Sequence, residues 1–397
     1  MNFLYIISII FISIGVTLFL LSFIFEYTRK LNLKKRNKTD YAIIIPARNE
    51  SKVIKGLLDS IKSQVDDMNR VYVIVEDKND KTVKITKDYG GNIFIRKNIE
   101  GRRRKGYALD ECLKDILKDK HYDLYFVFDA DNILDKNFIN EMLKTYKKGY
   151  DIATSYRNIK NSSNIISSCS GLTFSFMNSL FNEYNNHMHK SMIISGTGFY
   201  ISGELVEKLN GYPFHSLTED YELTLYAQAN NISSFYNKNA IFYDEQPTTI
   251  KDSTKQRTRW IKGFLEARKV RLKDIKDDYS KLMGIIPYLF IIIGIIILLF
   301  TNLYLSIYYL ITKNILFFAY FKSFLNIILI VYLVLAALTF YIIIKENSKL
   351  NMNLKYKILS CLFNPIFLAT YLYCFIKAIT TKEVAWEEIK HEKTQID

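Results

Sequence analysis

Cysteine is scarce in this 397-residue chain: Cys112, Cys169, Cys361 and Cys374 are far apart and show no paired spacing. That excludes a disulfide framework and a cysteine-based zinc site. His187 and His189 flank Met188, and they read as loop or helix-end residues rather than as metal ligands. The glycine loops that cradle phosphates, GxGxxG and GxxxxGK[ST], are both missing from the turns of the soluble region, so a nucleotide there must be held by side chains and metal. The net charge is +14, yet no nucleic-acid module accompanies it and no nucleic-acid partner is expected. Charged residues are also missing from the middle of two long apolar runs, Leu282 to Ile311 and Phe324 to Ile344. This argues against an ion or proton pathway and hence against a transporter.

What is present divides the chain in two. Met1 to Phe25 is almost unbroken apolar sequence, longer than the roughly 20 residues a bilayer requires, and no basic residue precedes it, so a cleaved signal peptide is not expected. Arg29, Lys30, Lys34, Lys35, Arg36 and Lys38 follow, which by the positive-inside tendency keeps the next segment cytoplasmic. The expected organisation is a transmembrane helix over 1–26, a cytoplasmic domain over 40–278, transmembrane or interfacial helices over 279–380 and a tail over 381–397. The last apolar run, Ile358 to Ile379, contains Asn364-Pro365 and Lys377, and both a crossing and an interfacial position stay open for it. Lysines flanking these runs fit anionic lipid headgroups, worth about 1 kcal/mol each near the surface. A multi-pass protein of the cell membrane is the expectation.

Between Tyr41 and Tyr156 short apolar runs alternate with helical periodicity, the pattern of an α/β domain with a parallel sheet. Strands are predicted at Tyr41 to Ile45, Val71 to Val75, Ile93 to Ile95, Leu124 to Phe128 and Ile152 to Ser155. The fourth ends in Asp129 and Asp131, and residues two apart on a strand share a face. Open α/β sheets bind ligands at such strand ends, so both carboxylates suit one Mg²⁺ or Mn²⁺ and the phosphates it carries. The alternative is that they cap the helix that follows.

Further along, Arg102 to Arg104 precede Lys105-Gly106 at a helix start. That cluster suits either a diphosphate grip or a solvated charge run. Gly196 to Tyr200 reads as a close-approach turn before a strand. Thr218-Glu219-Asp220 opens a helix, where Thr218 can serve as N-cap and an acid can serve as base to an attacking hydroxyl. Gln256, Arg259 and Trp260 fall on one helical face. Amide, guanidinium and indole together suit a sugar phosphate; the alternative is an interfacial anchor.

In their order, Ile44-Ile45-Pro46-Ala47-Arg48-Asn49-Glu50, Asp129-Ala130-Asp131, Thr218-Glu219-Asp220 and Gln256-x-x-Arg259-Trp260 resemble the family 2 glycosyltransferases of the membrane-bound synthase type, which includes cellulose, hyaluronan, chitin and poly-N-acetylglucosamine synthases. The likeness runs from Tyr41 to about Gly263. It implies an α/β GT-A domain inserted between transmembrane helices and inverting transfer from a UDP-sugar. On that likeness Asp131, with Asp129 beside it, would hold the divalent metal, and Asp129 would lie near ribose and phosphates. Pro46, Ala47, Asn49, Glu50 and Lys105 would lie at the donor, with Glu76 or Asp77 near the base. Asp220 would be the general base, Arg259 would aid the leaving diphosphate with the metal, Trp260 would stack on the acceptor sugar, and Gln256 would share that surface.

The expected product is a cell-surface β-linked polysaccharide, whose export would call for a homo-oligomer or a partner. The competing readings are transfer of one sugar to a lipid acceptor, or a sugar-nucleotide-binding scaffold without catalysis. Trp386 to His391 resembles a W-x-x-T-x-H segment with Ile389 at the threonine position, which would make the tail cytoplasmic.

Overall fold

The computed structural model of the chain describes residues 2–24, 33–187, 190–275 and 286–381. In chain order, α1 (Asn2–Ile24) is followed by β1 (Tyr41–Pro46), α2 (Ile54–Lys62), β2 (Val71–Val75), α3 (Lys81–Asp88), β3 (Asn92–Ile95) and α4 (Lys105–Asp119). Then come β4 (Leu124–Val127), β5 (Ile133–Leu134), α5 (Phe138–Lys147), β6 (Ile152–Ile159) and α6 (Ile165–Phe176). A π-helical turn over Met177–Asn182 leads into α7 (Glu183–His187), β7 (Phe199–Ser202), α8 (Gly203–Lys208), α9 (Glu219–Ala229) and β8 (Ser234–Asp244). The described chain closes with α10 (Ile250–Ile275), α11 (Ile286–Ile311), α12 (Leu316–Lys345) and α13 (Leu354–Thr380). Two compact units result: Met1–Thr28 with Lys273–Tyr341, and Arg29–Leu272 with Ile342–Asp397. His189 and the segment Trp386 to His391 lie outside the described residues.

The second unit is built on an eight-stranded sheet ordered β3-β2-β1-β4-β7-β6-β8-β5. The apolar runs become strands as predicted, but the sheet is mixed. β7 lies antiparallel between β4 and β6, and β5 runs antiparallel to β8. Pairing partners, not composition, set strand direction, so the parallel expectation from the first half of the chain missed the inserted strand.

Each face carries its own core. Ile43, Ile45, Val73, Phe126 and Phe128 pack under α2 and α5, while Ala42, Ile44, Ile74, Tyr125 and Val127 pack under α4 and α9. These side chains are almost wholly out of water, and each Ile or Val among them contributes about 1.5–3 kcal/mol. β1, β2, β4 and β6 end at one edge of the sheet, and the antiparallel β7 begins there. Their loops therefore converge on a single cleft.

α13 belongs to this unit. Asn353 caps it, its side chain accepting from Tyr356 N at 3.0 Å. One face, with Ser360, Asn364, Phe367, Cys374 and Ala378, is buried. Fully buried Arg257 of α10 donates to Thr370 Oγ1 at 2.7 Å and lies over the rings of Phe367 and Tyr371. The opposite face leaves Leu354, Ile358, Leu362, Ile366 and Ile376 exposed. In the first unit α1 packs on α11, where Tyr5 donates to Asn302 Oδ1 at 2.8 Å and Phe11 meets Phe290. α11, α12 and α13 are each long and apolar enough to cross a bilayer.

Candidate active site

The loop after β4 is held from beneath by buried polar groups. Asp129 N donates to Thr197 Oγ1 at 2.8 Å and to Asn132 Oδ1 at 3.2 Å, and the Thr197 hydroxyl also donates to Asn132. Asn132 Nδ2 in turn donates to Asp244 Oδ1 at 2.8 Å and to Asp131 Oδ1 at 3.3 Å. Lys160 Nζ donates to the Asp131 carbonyl at 3.0 Å. Asp129 and Asp131 remain only half-buried, so their carboxylates face the cleft rather than capping α5, which begins at Phe138.

Lys105, the first residue of α4, reaches into the same place. Its ammonium donates to Asp129 Oδ1 at 2.5 Å and to the Gly196 carbonyl at 2.6 Å, and lies 3.9 Å from Glu219. Burial lowers its pKa, but Asp129 and Glu219 outweigh burial and hold it above that of an ordinary lysine. Gly196 has φ +82°, and a Cβ there would stand 3.2 Å from Asp220 Oδ2. The turn therefore needs glycine both for its left-handed backbone and for the close approach of the carboxylate.

Glu219 and Asp220 open α9. Thr218 is its N-cap residue but makes no side-chain cap. Glu222 does the comparable work, accepting from His215 N and Ser216 N at 3.0 and 2.9 Å. Burial pushes the Glu219 carboxyl up to about 8, opposed by Lys105 and reinforced by Asp220. Burial likewise raises Asp220, opposed by a hydrogen bond from the Tyr221 backbone, Lys105 and Arg157. A carboxylate with a raised pKa beside a cleft is a competent proton acceptor.

α10 closes the other side. A Cβ at Gly263 would come within 2.5 Å of the Thr218 side chain, so only glycine lets α10 approach α9 this closely. One turn earlier stands Arg259, lowered by burial and raised by Glu219, Asp129 and Asp220, the acids its charge feels most. Trp260 packs edge-on against Phe174 at 5.7 Å. Gln256 lies half-buried one turn before Trp260 on the same helix.

The β1 and β2 loops are organised differently. Pro46 pairs with Ile74 at the end of β1, Ala47 N donates to the Ile74 carbonyl at 2.8 Å, and Asn49, at φ +60°, donates its N–H to Asp80 Oδ2. Glu50 accepts the first amides of the turn into α2 at its carbonyl. Glu76 is ion-paired with Arg48 and Arg96, each at 3.3 Å, and Arg103 at 3.9 Å. Asp77 accepts from Asn79 N within its own turn. Both acids are thus committed to protein partners. Arg104 binds Glu266 of α10 at 2.6 Å and the His215 carbonyl, a tie between elements rather than a free charge run.

Sequence reasoning missed Asn132, Thr197, Asp244 and Arg157, all buried beneath the cleft. Asn132 directly follows Asp131, which is a signal of sorts. Asp244 and Arg157 become visible only through the register of β6 against β8.

The donor set of Asp129 and Asp131 is all-oxygen and accessible, which fits a hard divalent cation. Among the described residues no group of three His, Cys, Asp or Glu side chains converges as a cage, so such a cation would complete its shell from a ligand and water.

Comparison with known proteins places this geometry. The probable glycosyltransferase YdaM of Bacillus subtilis is 26% identical over 238 residues, 58% of this chain and 56% of that protein. The poly-beta-1,6-N-acetyl-D-glucosamine synthase of Staphylococcus epidermidis is 23% identical over 242 residues, 60% and 58% of the two chains. The matched region thus spans somewhat more than half the length of either relative. The mannosyltransferase PcManGT from Pyrobaculum calidifontis, solved with GDP-Man and Mn²⁺, superposes with a TM-score of 0.58 at 12% identity, covering 96% of this chain and all of that one. The likeness is one of fold, and the fold is GT-A. Residues 38–263, more than half the chain, match the family described as glycosyltransferase like family 2, and the chain belongs to that family.

Proposed function

We propose that the protein is a membrane-bound inverting glycosyltransferase that moves a sugar from a UDP-sugar onto a growing β-linked cell-surface polysaccharide. The observation that carries this reading is the convergence of Asp129, Lys105, Asp220 and Arg259 at one edge of the sheet. Lys105 and Arg259 orient the donor diphosphate by charge-assisted hydrogen bonds and stabilise it as it leaves. Asp129 and Asp131 hold Mg²⁺ or Mn²⁺, which supplies positive charge to the diphosphate when bound. Asp220 takes the proton of the acceptor hydroxyl as it attacks the anomeric carbon on the face opposite the diphosphate. Trp260 offers its ring to the acceptor sugar, and Gln256 extends that surface. Pro46, Ala47, Asn49 and Glu50 line the donor side. Glu76 and Asp77 act there indirectly, by setting Arg48 and the β2 turn.

The same reading covers location. α1, α11 and α12 span the membrane, and α13 lies in the interface with its Leu and Ile face toward lipid. With α13 on the catalytic unit, α11 and α12 form one out-and-back pair, which keeps both pieces of that unit cytoplasmic.

A single sugar transfer to a lipid acceptor is the second reading. It is favoured by Phe264 and Leu265, which follow Trp260 on α10 and stand 42% and 44% exposed. A scaffold without catalysis has no use for a half-buried Asp220 with a raised carboxyl.

Membranes carrying the overexpressed protein, given a panel of UDP- and GDP-sugars with Mg²⁺ or Mn²⁺, should release UDP from one donor. Release of GDP alone would correct the donor, and no release from any donor would overturn the reading. A product that partitions into organic solvent with one added sugar would decide for the lipid acceptor.

A further inference from the structure

Arg157 lies where three parts of the cleft wall meet, and no role in sugar transfer has so far been given to it. It sits near the end of β6, almost wholly buried. Its Nη2 forms a 2.6 Å ion pair with Asp244, and its Nη1 donates to the Ser195 carbonyl at 2.8 Å. The face of the guanidinium lies over the Phe174 ring, 3.7 Å from its centroid.

Each partner continues to the cleft. Asp244 holds Asn132, which holds the Asp129 loop. Ser195 precedes Gly196, whose carbonyl takes Lys105 and whose Cα backs the Asp220 carboxylate. Phe174 supports the edge of Trp260. A second anchor fixes the Asp244 end: Gln246 Nε2 donates to Asp244 Oδ2 at 2.8 Å, and Gln246 N donates to Asn161 Oδ1 at 2.6 Å. The register of β6 against β8 shifts between Ser155 and Tyr156, so that Arg157 pairs with Phe242 and Ile159 with Asp244.

We propose that Arg157 is a positioning residue for sugar transfer, holding Trp260 and the Gly196–Asp220 wall in register with the Asp129 loop through one planar guanidinium. This rests on the transfer reading above. The chemistry requires arginine. Two in-plane donors serve Asp244 and Ser195 while the flat face serves Phe174, and an ammonium can replace the charge but not the fork and the face together. A shift of about 1 Å between attacking oxygen and anomeric carbon lowers turnover on the order of 100-fold. A buried ion pair acting only on stability would leave turnover per folded molecule unchanged.

The test uses the full chain in detergent, with Arg157→Lys and Phe174→Leu. For Arg157→Lys, kcat for UDP release should fall about 30-fold or more, while the donor KM and the Mn²⁺-dependent affinity for UDP stay within about threefold. Phe174→Leu should lower kcat by a smaller factor, about 10-fold. With Trp386→Phe as background, Trp260 is the one remaining tryptophan, and acrylamide should quench it at least about twofold more readily in both variants as its support loosens. Wild-type kcat in Arg157→Lys, or loss of UDP binding in step with melting temperature, would overturn the proposal. If the wild type turns over no donor, the transfer reading fails on its own. Unchanged Trp260 quenching in Arg157→Lys then rejects the positioning role, and increased quenching keeps the mechanical linkage standing.

Discussion

The cleft holds two acidic pairs that look alike in sequence and differ in setting. Asp129 and Asp131 follow a strand, and the Asp129 side chain is 38% exposed and paired with Lys105. Glu219 and Asp220 open a helix, and the Glu219 side chain is 8% exposed. A helix start favours negative charge, but burial opposes it and wins, as the rise of Glu219 to about 8 records. The strand-end pair is the wet one, and in the drier helix-start pair burial raises both carboxyls. The same functional group thus meets two environments within one cleft.

That contrast is open to test, and the largest effect is expected at the dry pair. Asp220→Asn should lower UDP release roughly 1,000-fold, within the range removal of a general base produces. Affinity for UDP with Mn²⁺ should stay within about threefold, and added Mn²⁺ should recover nothing. Asp131→Asn should do the reverse. UDP affinity falls roughly 10–100-fold, as disturbed metal sites show, and partly returns as Mn²⁺ is raised. Equal recovery of both variants by metal would erase the division of labour.

The pH profile sharpens the same point. Asp220 is raised above the ordinary aspartate value by burial, and it acts as a base only when deprotonated. Turnover should therefore fall, as pH is lowered, at a pH above that ordinary value. An acid limb at or below 3.8 would remove Asp220 from the role.

The smallest effect is on stability. Glu219 goes from an ordinary 4.5 to about 8 in the folded chain, so between these values the folded state binds a proton that the unfolded state has lost. The stability from that proton is full below about pH 4.5 and fades as pH rises through 8. The melting temperature of donor-free protein should drop by about 2–4 °C or more from pH 5 to pH 8. Glu219→Gln, which cannot titrate, should flatten the slope.

Much of this was legible beforehand, because β1, β2 and β4 are apolar runs whose ends carry the polar groups. The acids of the β4 loop stand directly after such a run, whereas Lys105, Glu219-Asp220 and the α10 face stand on helices and gain their expected roles only from the family resemblance. The direction of β7 was not legible, since four residues between a glycine turn and α8 carry no sign of it. Glu76 or Asp77 is the sequence's candidate for the nucleotide base, and a sequence cannot show three arginines gathering on the Glu76 carboxylate. Arg157 and Asp244 lie 87 residues apart and look like ordinary strand polars until pairing brings them together. α13 carries the hydropathy signal of a crossing helix, and its buried stripe of Ser360, Asn364 and Cys374 is too sparse to stand out.

The burial of Arg257 against α13 has a consequence for how the protein is made. Arg257 and Thr370 are 113 residues apart, and α11 and α12 are synthesised between them. At about 5–20 residues per second, the ribosome leaves the α10 surface without its partner for roughly 6–23 s, while α11 and α12 are made. The unit that carries the sheet can close over Arg257 only after both helices have been made. A chain that ends before α13 is therefore left with the Arg257 guanidinium uncovered, so this unit is completed only once α13 has been made.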